Sequence, residues 1–323
     1  MQREDIFTMK SIYRDSFRIR AYRFGGGEKS ICIVGAMRGN EHQQLFTASR
    51  LIRRLAQLEE EGRLTPGKEI MVIPCGNPYS MNIGKRFWTI DNTDINRMFP
   101  GYDQGETTQR IAAGIFQEAM EYRYGIQFAS FYMRGTFAPH VRMMETGFED
   151  VDMARKFGLP YVLIRRPRPF DTTTLNYNWQ IWNTSAFSIY TTGTDQVDSA
   201  SARQAVEAIV RFLVEIGLVR ENDQDKDTFP PMDSAVVYDE NLLTLRTDRA
   251  GFFNSFVKPG EAVEEGQLLA QITDPYEGTL RSRIVAPAAG QVLFMHQESL
   301  IYADSSVFKL VAGLDGESAG LRE

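Results

Sequence analysis

A polar segment at residues 77–101 contains the side chains best suited to binding a carboxylate. Arg86, Asn96 and Arg97 lie within it, and a Pro-Gly pair ends regular structure after it. An arginine guanidinium matches a carboxylate through two parallel hydrogen bonds. The segment therefore predicts a carboxylate-binding site. Two alternatives stay open from the residues alone: a solvated surface loop, or a buried polar network that only holds the loop in place.

Short apolar runs alternate with amphipathic helices on both sides of this segment. Such alternation favours an α/β fold with a mostly parallel sheet that is covered by helices on both faces. Residues 17–24 alternate apolar and basic side chains and are predicted to form an edge strand. The other predicted strands are residues 30–35, 68–75, 125–131, 160–164 and 186–190, and the predicted helices are residues 45–58, 107–122, 150–157 and 199–216.

Composition and charge narrow the classes of function. The chain has 323 residues, of which 43% are hydrophobic and 24% charged, as in soluble globular proteins. Its formal net charge of −6 argues against nucleic acid or an anionic membrane surface as the main partner. Cys32 and Cys75 lie in apolar runs and are predicted to be buried thiols. No apolar run has the length of a signal peptide or a membrane span, so we expect a cytoplasmic protein without a membrane partner.

The composition changes after residue 220. Residues 1–220 form the predicted α/β domain, and the charged, proline-containing residues 221–233 are predicted to be a linker. Residues 234–313 contain short strands between turn signals, which predicts a small all-β domain. Residues 314–323 are expected to be a tail.

The predicted β domain resembles the biotinyl/lipoyl type of barrel. The similarity rests on the phrase Val-Lys-Pro-Gly-Glu at residues 257–261 and on Ala-Pro-Ala-Ala-Gly at residues 286–290. Carrier domains of that type present a modifiable lysine on a hairpin between these phrases. Residues 272–285 contain no lysine, so we predict a structural or oligomer-forming module and not a carrier. A homo-oligomer is the corresponding expectation.

The first 220 residues resemble the succinylglutamate desuccinylase/aspartoacylase family, a branch of the zinc carboxypeptidase-like hydrolases. The most specific match is Asp-Ile-Asn-Arg-Met-Phe-Pro-Gly at residues 94–101, preceded by Arg86. The run Gly-Ala-Met-Arg-Gly-Asn-Glu at residues 35–41 matches the family pattern Gly-x-x-His-Gly-Asx-Glu at a strand-to-helix turn. The resemblance implies a carboxypeptidase-like domain followed by a β-rich domain.

The resemblance also implies a zinc site whose ligands this chain largely lacks. Glu41 matches the glutamate ligand, but Arg38 stands at the first histidine and Ala129 at the second. A guanidinium has no free lone pair and alanine has no donor atom, whereas a catalytic zinc takes three protein ligands. Tyr190 stands at the position of the family's catalytic glutamate. We therefore expect no cofactor at this former metal site, and we predict that Arg38 and Glu41 form an ion pair there.

The family's substrate-binding residues are present. By the resemblance, Arg86 matches the arginine that polarises the scissile carbonyl, while Asn96 and Arg97 match the pair that holds the substrate carboxylate. The sequence thus predicts a degenerate family member that binds a small carboxylate-bearing molecule, such as an N-acyl amino acid or a peptide end, without zinc hydrolysis. The alternative is an active zinc amidohydrolase or carboxypeptidase with the rearranged ligands Glu41, His42 and His140.

Three further features are candidates for ligand binding or for a structural role: a basic cluster, a polar-aromatic segment and a histidine of the β domain. The basic residues 165–168 could bind an anionic ligand group or form a solvated loop. Residues 171–184 are rich in threonine, asparagine and tryptophan and are predicted to be a polar-aromatic loop, in which Trp179 and Trp182 either wall a pocket or pack. His296 is predicted to lie on the surface of the β domain.

Overall fold

The computed structural model describes residues 1–13, 15–222 and 228–313. The helices are α1 (His42–Glu60), α2 (Pro78–Met81), α3 (Thr107–Ala119), α4 (Val151–Arg155), α5 (Leu175–Ile181) and α6 (Ser199–Glu215). The strands are β1 (Gln2–Met9), β2 (Phe17–Gly25), β3 (Glu28–Ala36), β4 (Lys68–Cys75), β5 (Tyr124–Phe128), β6 (Gly135–Phe137), β7 (His140–Met144), β8 (Tyr161–Arg165), β9 (Ser185–Tyr190), β10 (Ala235–Val237), β11 (Leu242–Arg246), β12 (Gly251–Ser255), β13 (Ala262–Val263), β14 (Leu268–Thr273), β15 (Leu280–Val285), β16 (Gly290–His296), β17 (Leu300–Ile301) and β18 (Ser306–Ala312).

A large mixed sheet carries the first unit, with the strand order β1-β2-β4-β3-β5-β9-β7-β8-β10. Strand β3 pairs in parallel with β4 and β5, and β5 pairs in parallel with β9. Alternate residues of β3 face two different cores: Ile33 packs with α1 and α6, and Val34 packs with α3 and α5. The predicted α/β fold with helices on both faces is therefore confirmed.

The first strand was not recognised in the sequence. Strand β1 pairs antiparallel with β2. The predicted edge position of residues 17–24 is therefore wrong, because β1 forms the edge and β2 lies one strand inside it. The outer strand begins with the consecutive charged residues Arg3, Glu4 and Asp5, so its sequence lacks the alternation of apolar and polar side chains that indicates a strand. Charged residues are common on edge strands because they discourage pairing with another chain.

Part of the predicted polar-aromatic loop is a helix. Thr174 caps the amino end of α5 by accepting a hydrogen bond from the Tyr177 amide. Trp179 is buried against Gly125, where an added Cβ would lie 2.7 Å from the indole ring. Trp182 packs edge-on against Phe116, with 5.3 Å between ring centroids. Both tryptophans therefore serve packing, which fixes α5 against the sheet.

The second unit consists of two small antiparallel sheets, with the strand orders β11-β18-β16-β13 and β15-β14-β12-β17. Strands β14 and β15 pair antiparallel as a hairpin. His296 is buried with 5% of its surface exposed, so the predicted surface position is wrong. It lies at the end of β16 and packs edge-on against Phe253, because the strand turns this side chain inward.

Strand pairing connects the two units. Strand β6, which belongs to the first unit in sequence, pairs with β16, and Phe137 packs against Phe294 with ring centroids 4.7 Å apart. Strand β10, which follows the predicted linker, pairs in parallel with β8 of the large sheet. These pairings join the two units through backbone hydrogen bonds and a shared apolar cluster. Residues 223–227 of the predicted linker and the predicted tail at residues 314–323 lie outside the described residues.

Candidate functional site

The strand ends that carry the sequence motifs meet at one edge of the large sheet. Arg38 follows β3, Ala129 follows β5, and Tyr190 ends β9. In open α/β sheets, this carboxyl edge is the usual place for ligands. A cavity of about 200 Å³ opens here. Its walls include the predicted site residues Arg38, Arg86, Asn96, Arg97, Ala129 and Tyr190.

Glu41 lies behind this cavity with its carboxylate fully engaged. Its Oε2 accepts the backbone N–H groups of Met37, at 2.7 Å, and Arg38, at 3.0 Å. Its Oε1 accepts Nη1 of Arg38 at 3.0 Å and a short hydrogen bond from the Ser130 hydroxyl. The predicted Arg38–Glu41 ion pair is thus confirmed. A carboxylate has about four acceptor positions, and the protein itself fills this number.

Asp94 holds the other side of the Arg38 guanidinium. The Arg38 Nε donates to Asp94 Oδ2 at 2.9 Å, and Nη2 lies 2.9 Å from the same oxygen. Burial disfavours the charged guanidinium, but the carboxylates of Asp94 and Glu41 together raise the pKa of Arg38 above its ordinary value. Arg38 is 4% exposed and remains a fixed positive charge in the floor of the cavity.

The residues at the expected metal position do not fit zinc. Arg38 has no free lone pair, Ala129 has no donor atom, and the Glu41 oxygens are already occupied by donors. The alternative ligands Glu41, His42 and His140 do not form a metal site either. His42 Nδ1 instead lies 3.1 Å from the Asp195 carbonyl oxygen. Within the described ranges, no three His, Cys, Asp or Glu side chains are grouped so as to hold a metal ion.

His140, the other member of the rearranged set, is enclosed in the sheet. Its Nδ1 lies 2.9 Å from the Ala138 carbonyl oxygen, and its ring stacks on Tyr190 at a centroid distance of 4.7 Å. Burial lowers the pKa of His140 to about 3, so the imidazole stays neutral at ordinary pH. Tyr190, which the resemblance matches to the family's catalytic glutamate, offers a phenol and not a carboxylate.

The predicted carboxylate-binding residues share the cavity and have free donors. Arg86 lies with its Cζ 5.6 Å from the Phe87 ring centroid, and Arg97 lies 5.6 Å from that of Phe170. Neither arginine forms an ion pair with a carboxylate of the described residues. Asn96 accepts the Leu175 amide through Oδ1 at 3.1 Å, which anchors α5 and leaves the Nδ2 donor for a ligand. Asn96 therefore both holds its loop and faces the cavity.

The positive charges of this region are crowded. Burial, followed by the charge of Arg38, lowers the pKa of Arg86 to about 10. The same two causes lower the pKa of Arg97 below its ordinary value. A bound anion would relieve this repulsion, because an opposite charge favours the charged form of each group.

Two cations of the cavity, Arg142 and Lys309, were not identified from the sequence, whereas the basic cluster at residues 165–168 was. Arg142 interrupts the apolar strand β7, which is a usable signal because a charged side chain in a buried strand needs a reason. Arg165, Arg166 and Arg168 do line the cavity, so the basic cluster lies where it could meet an anion. Lys309 comes from β18 of the second unit, and no pattern in its own neighbourhood indicates the site.

Residues 28–216 match the model of the succinylglutamate desuccinylase/aspartoacylase catalytic domain. An N-alpha-acetyl-L-2,4-diaminobutyric acid deacetylase from Halomonas elongata is 23% identical over 262 residues, which cover 75% of this chain and 70% of that protein.

Solved structures show the same fold. The product-bound ectoine utilization protein EutE (DoeB) from Ruegeria pomeroyi has a TM-score of 0.75 and 20% identity, covering 92% of this chain and 90% of its own. A succinylglutamate desuccinylase from a Silicibacter species has a TM-score of 0.77 and 19% identity, covering 95% and 92% of the two chains. At such low identity, these similarities establish the fold. Among the helices described, none is both long and apolar enough to traverse a bilayer.

Proposed function

The chain belongs to the succinylglutamate desuccinylase/aspartoacylase family, and we propose that it binds a small carboxylate-bearing ligand without zinc hydrolysis. The ligand class is an N-acyl amino acid or a peptide end. One observation carries the proposal: the Arg38 guanidinium lies between the carboxylates of Glu41 and Asp94. By the family resemblance, Arg38 stands in the place of a histidine ligand of the zinc. Arg38 supplies a permanent positive charge there, and it cannot coordinate and ionise a water molecule as a metal does.

The carboxylate half of the ligand is assigned to Arg86, Asn96 and Arg97. Hydrogen bonds between a guanidinium and a carboxylate are charge-assisted and stronger than those between neutral groups. Both arginines lack carboxylate partners among the described residues, and partial burial reduces the water that competes for them. The related deacetylase from Halomonas elongata acts on an N-acetylated amino acid, which supports this ligand class.

The natural protein is expected to contain well below one zinc per chain, even after incubation with zinc and removal of the excess. The reason is that Arg38 and Ala129 offer no ligand atom and Glu41 is engaged, whereas a catalytic zinc takes three protein ligands. Metal content by elemental analysis measures this directly. Finding about one zinc per chain, together with hydrolysis of N-acyl amino acids, would instead establish the active deacylase.

Replacing Arg97 by methionine is expected to weaken binding of an N-acetyl amino acid by about 10- to 100-fold. This range corresponds to the roughly 1.5–3 kcal/mol of a hydrogen bond to a charged group. Titration calorimetry with a panel of N-acetyl amino acids measures the loss. Arg155→Met removes an exposed arginine on α4, outside the cavity, and serves as the matched control. Equal affinity of the Arg97→Met variant and the natural protein would count against the assigned carboxylate site.

A further inference from the structure

A second set of cations lines the same cavity and comes from other elements. Arg142 belongs to β7, Arg168 follows β8, and Lys309 belongs to β18 of the second unit. Among the described residues, nine cationic side chains and one acidic side chain, Asp171, line the cavity wall. A single carboxylate would neutralise only one of these charges, so the excess points to a more highly charged ligand.

Some of these cations are already paired within the protein. Arg38 pairs with Glu41 and Asp94, Arg165 with Asp239, and Arg166 with Glu145 at 3.2 Å. In the part of the chain that the structure describes, Arg142, Arg168 and Lys309 have no such carboxylate partner. Arg246 also lacks a carboxylate partner among the described residues, but its Nη1 donates to the Asp304 carbonyl oxygen at 2.6 Å. Arg142, Arg168 and Lys309 therefore remain as the positive charges for a second anionic group.

Buried polar atoms without partners lie beside these cations. Arg142 Nε and Ser306 Oγ are buried and find no hydrogen-bond partner among the described residues. Nδ2 and Oδ1 of Asn176, a residue of α5, are likewise buried without a hydrogen-bond partner among the described residues. All three residues line the cavity. Because an unpaired buried polar group is destabilising, such a cluster calls for an explanation, and hydrogen bonds to a bound ligand supply one.

Lys309 contacts an aromatic ring, and its surroundings disfavour the charged form of its ammonium group. Its Nζ lies 4.9 Å from the Phe131 ring centroid. Burial, followed by the charges of Arg165, Arg142 and Arg168, lowers the pKa of Lys309 to about 8, although Asp239 opposes this. Strand β18 is fixed to the first unit through its pairing with β16, which in turn pairs with β6. The second unit thus places a lysine in the cavity with a defined geometry.

We propose that Arg142, Lys309 and Ser306 form a second anion subsite, which binds a phosphate-type dianion on the same ligand. The carboxylate half of that ligand rests on the proposed function, whereas the second subsite stands on its own residues. A tetrahedral phosphate presents three acceptor oxygens and close to two negative charges. An arginine fork, a lysine point charge and a hydroxyl from different elements suit this shape better than the planar, singly charged carboxylate. The second unit then completes the binding site.

The experiment is a calorimetric titration with inorganic phosphate alone, at constant ionic strength. We expect the natural protein to bind phosphate and Lys309→Met to bind it about 10-fold more weakly, the scale of one charged hydrogen bond. Methionine replaces the partly buried ammonium beside Phe131 by an apolar side chain of similar length, so the fold is expected to be retained. Ser306→Ala is expected to weaken binding by about 3- to 10-fold without a change in charge. Lys156→Met, in an exposed ion pair with Glu215, is the matched control.

The outcomes separate this subsite from the carboxylate site. Arg97→Met is expected to leave phosphate affinity within about twofold while it weakens binding of N-acetyl amino acids. If phosphate does not bind at millimolar concentration, or if Lys309→Met binds it as tightly as the natural protein, the second subsite is overturned. Loss of phosphate binding in Arg97→Met alone would place the phosphate at the carboxylate site, which also overturns it and leaves the proposed function standing.

Discussion

The Arg38→Met variant is expected to lose about 3–5 kcal/mol of unfolding free energy, which is the usual cost of removing one partner from a buried ion pair. The loss arises because Glu41, with 1% of its surface exposed, would remain as a buried carboxylate without its cation. Asp94 would also lose its hydrogen bonds to the guanidinium. Chemical denaturation at neutral pH measures the change.

The matched control is Arg166→Met, which removes an exposed arginine paired with Glu145. Surface ion pairs contribute about 0–1 kcal/mol, so this variant should be close to the natural protein in stability. Arg38→Met combined with Glu41→Gln should recover part of the loss, because no unpaired charge remains at Glu41 while the backbone N–H donors keep an amide oxygen as acceptor. A loss below about 1 kcal/mol in Arg38→Met would show that the ion pair does not hold this site together.

The double variant Arg38→His with Ala129→His is expected to gain about one zinc per chain. The two imidazoles supply the missing ligands, and removal of the guanidinium frees one acceptor position on Oε1 of Glu41, which gives the three protein ligands of a catalytic zinc site. Asp94 is placed to orient the imidazole introduced at position 38 through its second ring nitrogen, as carboxylates commonly do in zinc sites. Elemental analysis and calorimetric titration with zinc measure the gain.

Two comparisons make this zinc prediction specific. Arg38→His alone supplies two of the three ligands and should bind zinc far more weakly than the double variant. Addition of Glu41→Gln to the double variant should abolish the gain, because the amide is a poor zinc ligand. If the double variant takes up no more zinc than the natural protein, the assignment of Arg38 and Ala129 to the metal position is wrong.

The charge distribution shows how far composition can mislead. The formal net charge is −6, yet nine cationic side chains of the described ranges line one cavity. Net charge describes behaviour at a distance, whereas a binding site depends on the few charges that the fold brings within hydrogen-bond range. Arg142 and Lys309 are far apart in sequence, and no local pattern unites them. Their common cavity depends on the pairing of β6 with β16.

Several features of this protein could be predicted from the sequence because they depend on local chemistry. Apolar periodicity gave the helices α1, α3 and α6 and the central strands, since buried strands and amphipathic helices have distinct repeats. The chemical nature of Arg38 and Ala129 is equally independent of the fold: neither can ligate zinc in any arrangement. The match at residues 94–101 is sufficient by itself to indicate Asn96 and Arg97 as candidate site residues.

Only the tertiary structure decided how those residues are used. The saturation of Glu41 by Arg38, Ser130 and two backbone amides depends on the meeting of β3 and β5 in three dimensions. The edge strand β1 and the helix α5 were missed because their own sequences are polar, and long-range packing stabilises them. Lys309 reaches the cavity through strand pairing between units. Contacts between distant segments gain their energy from burial and register, which one-dimensional patterns do not encode.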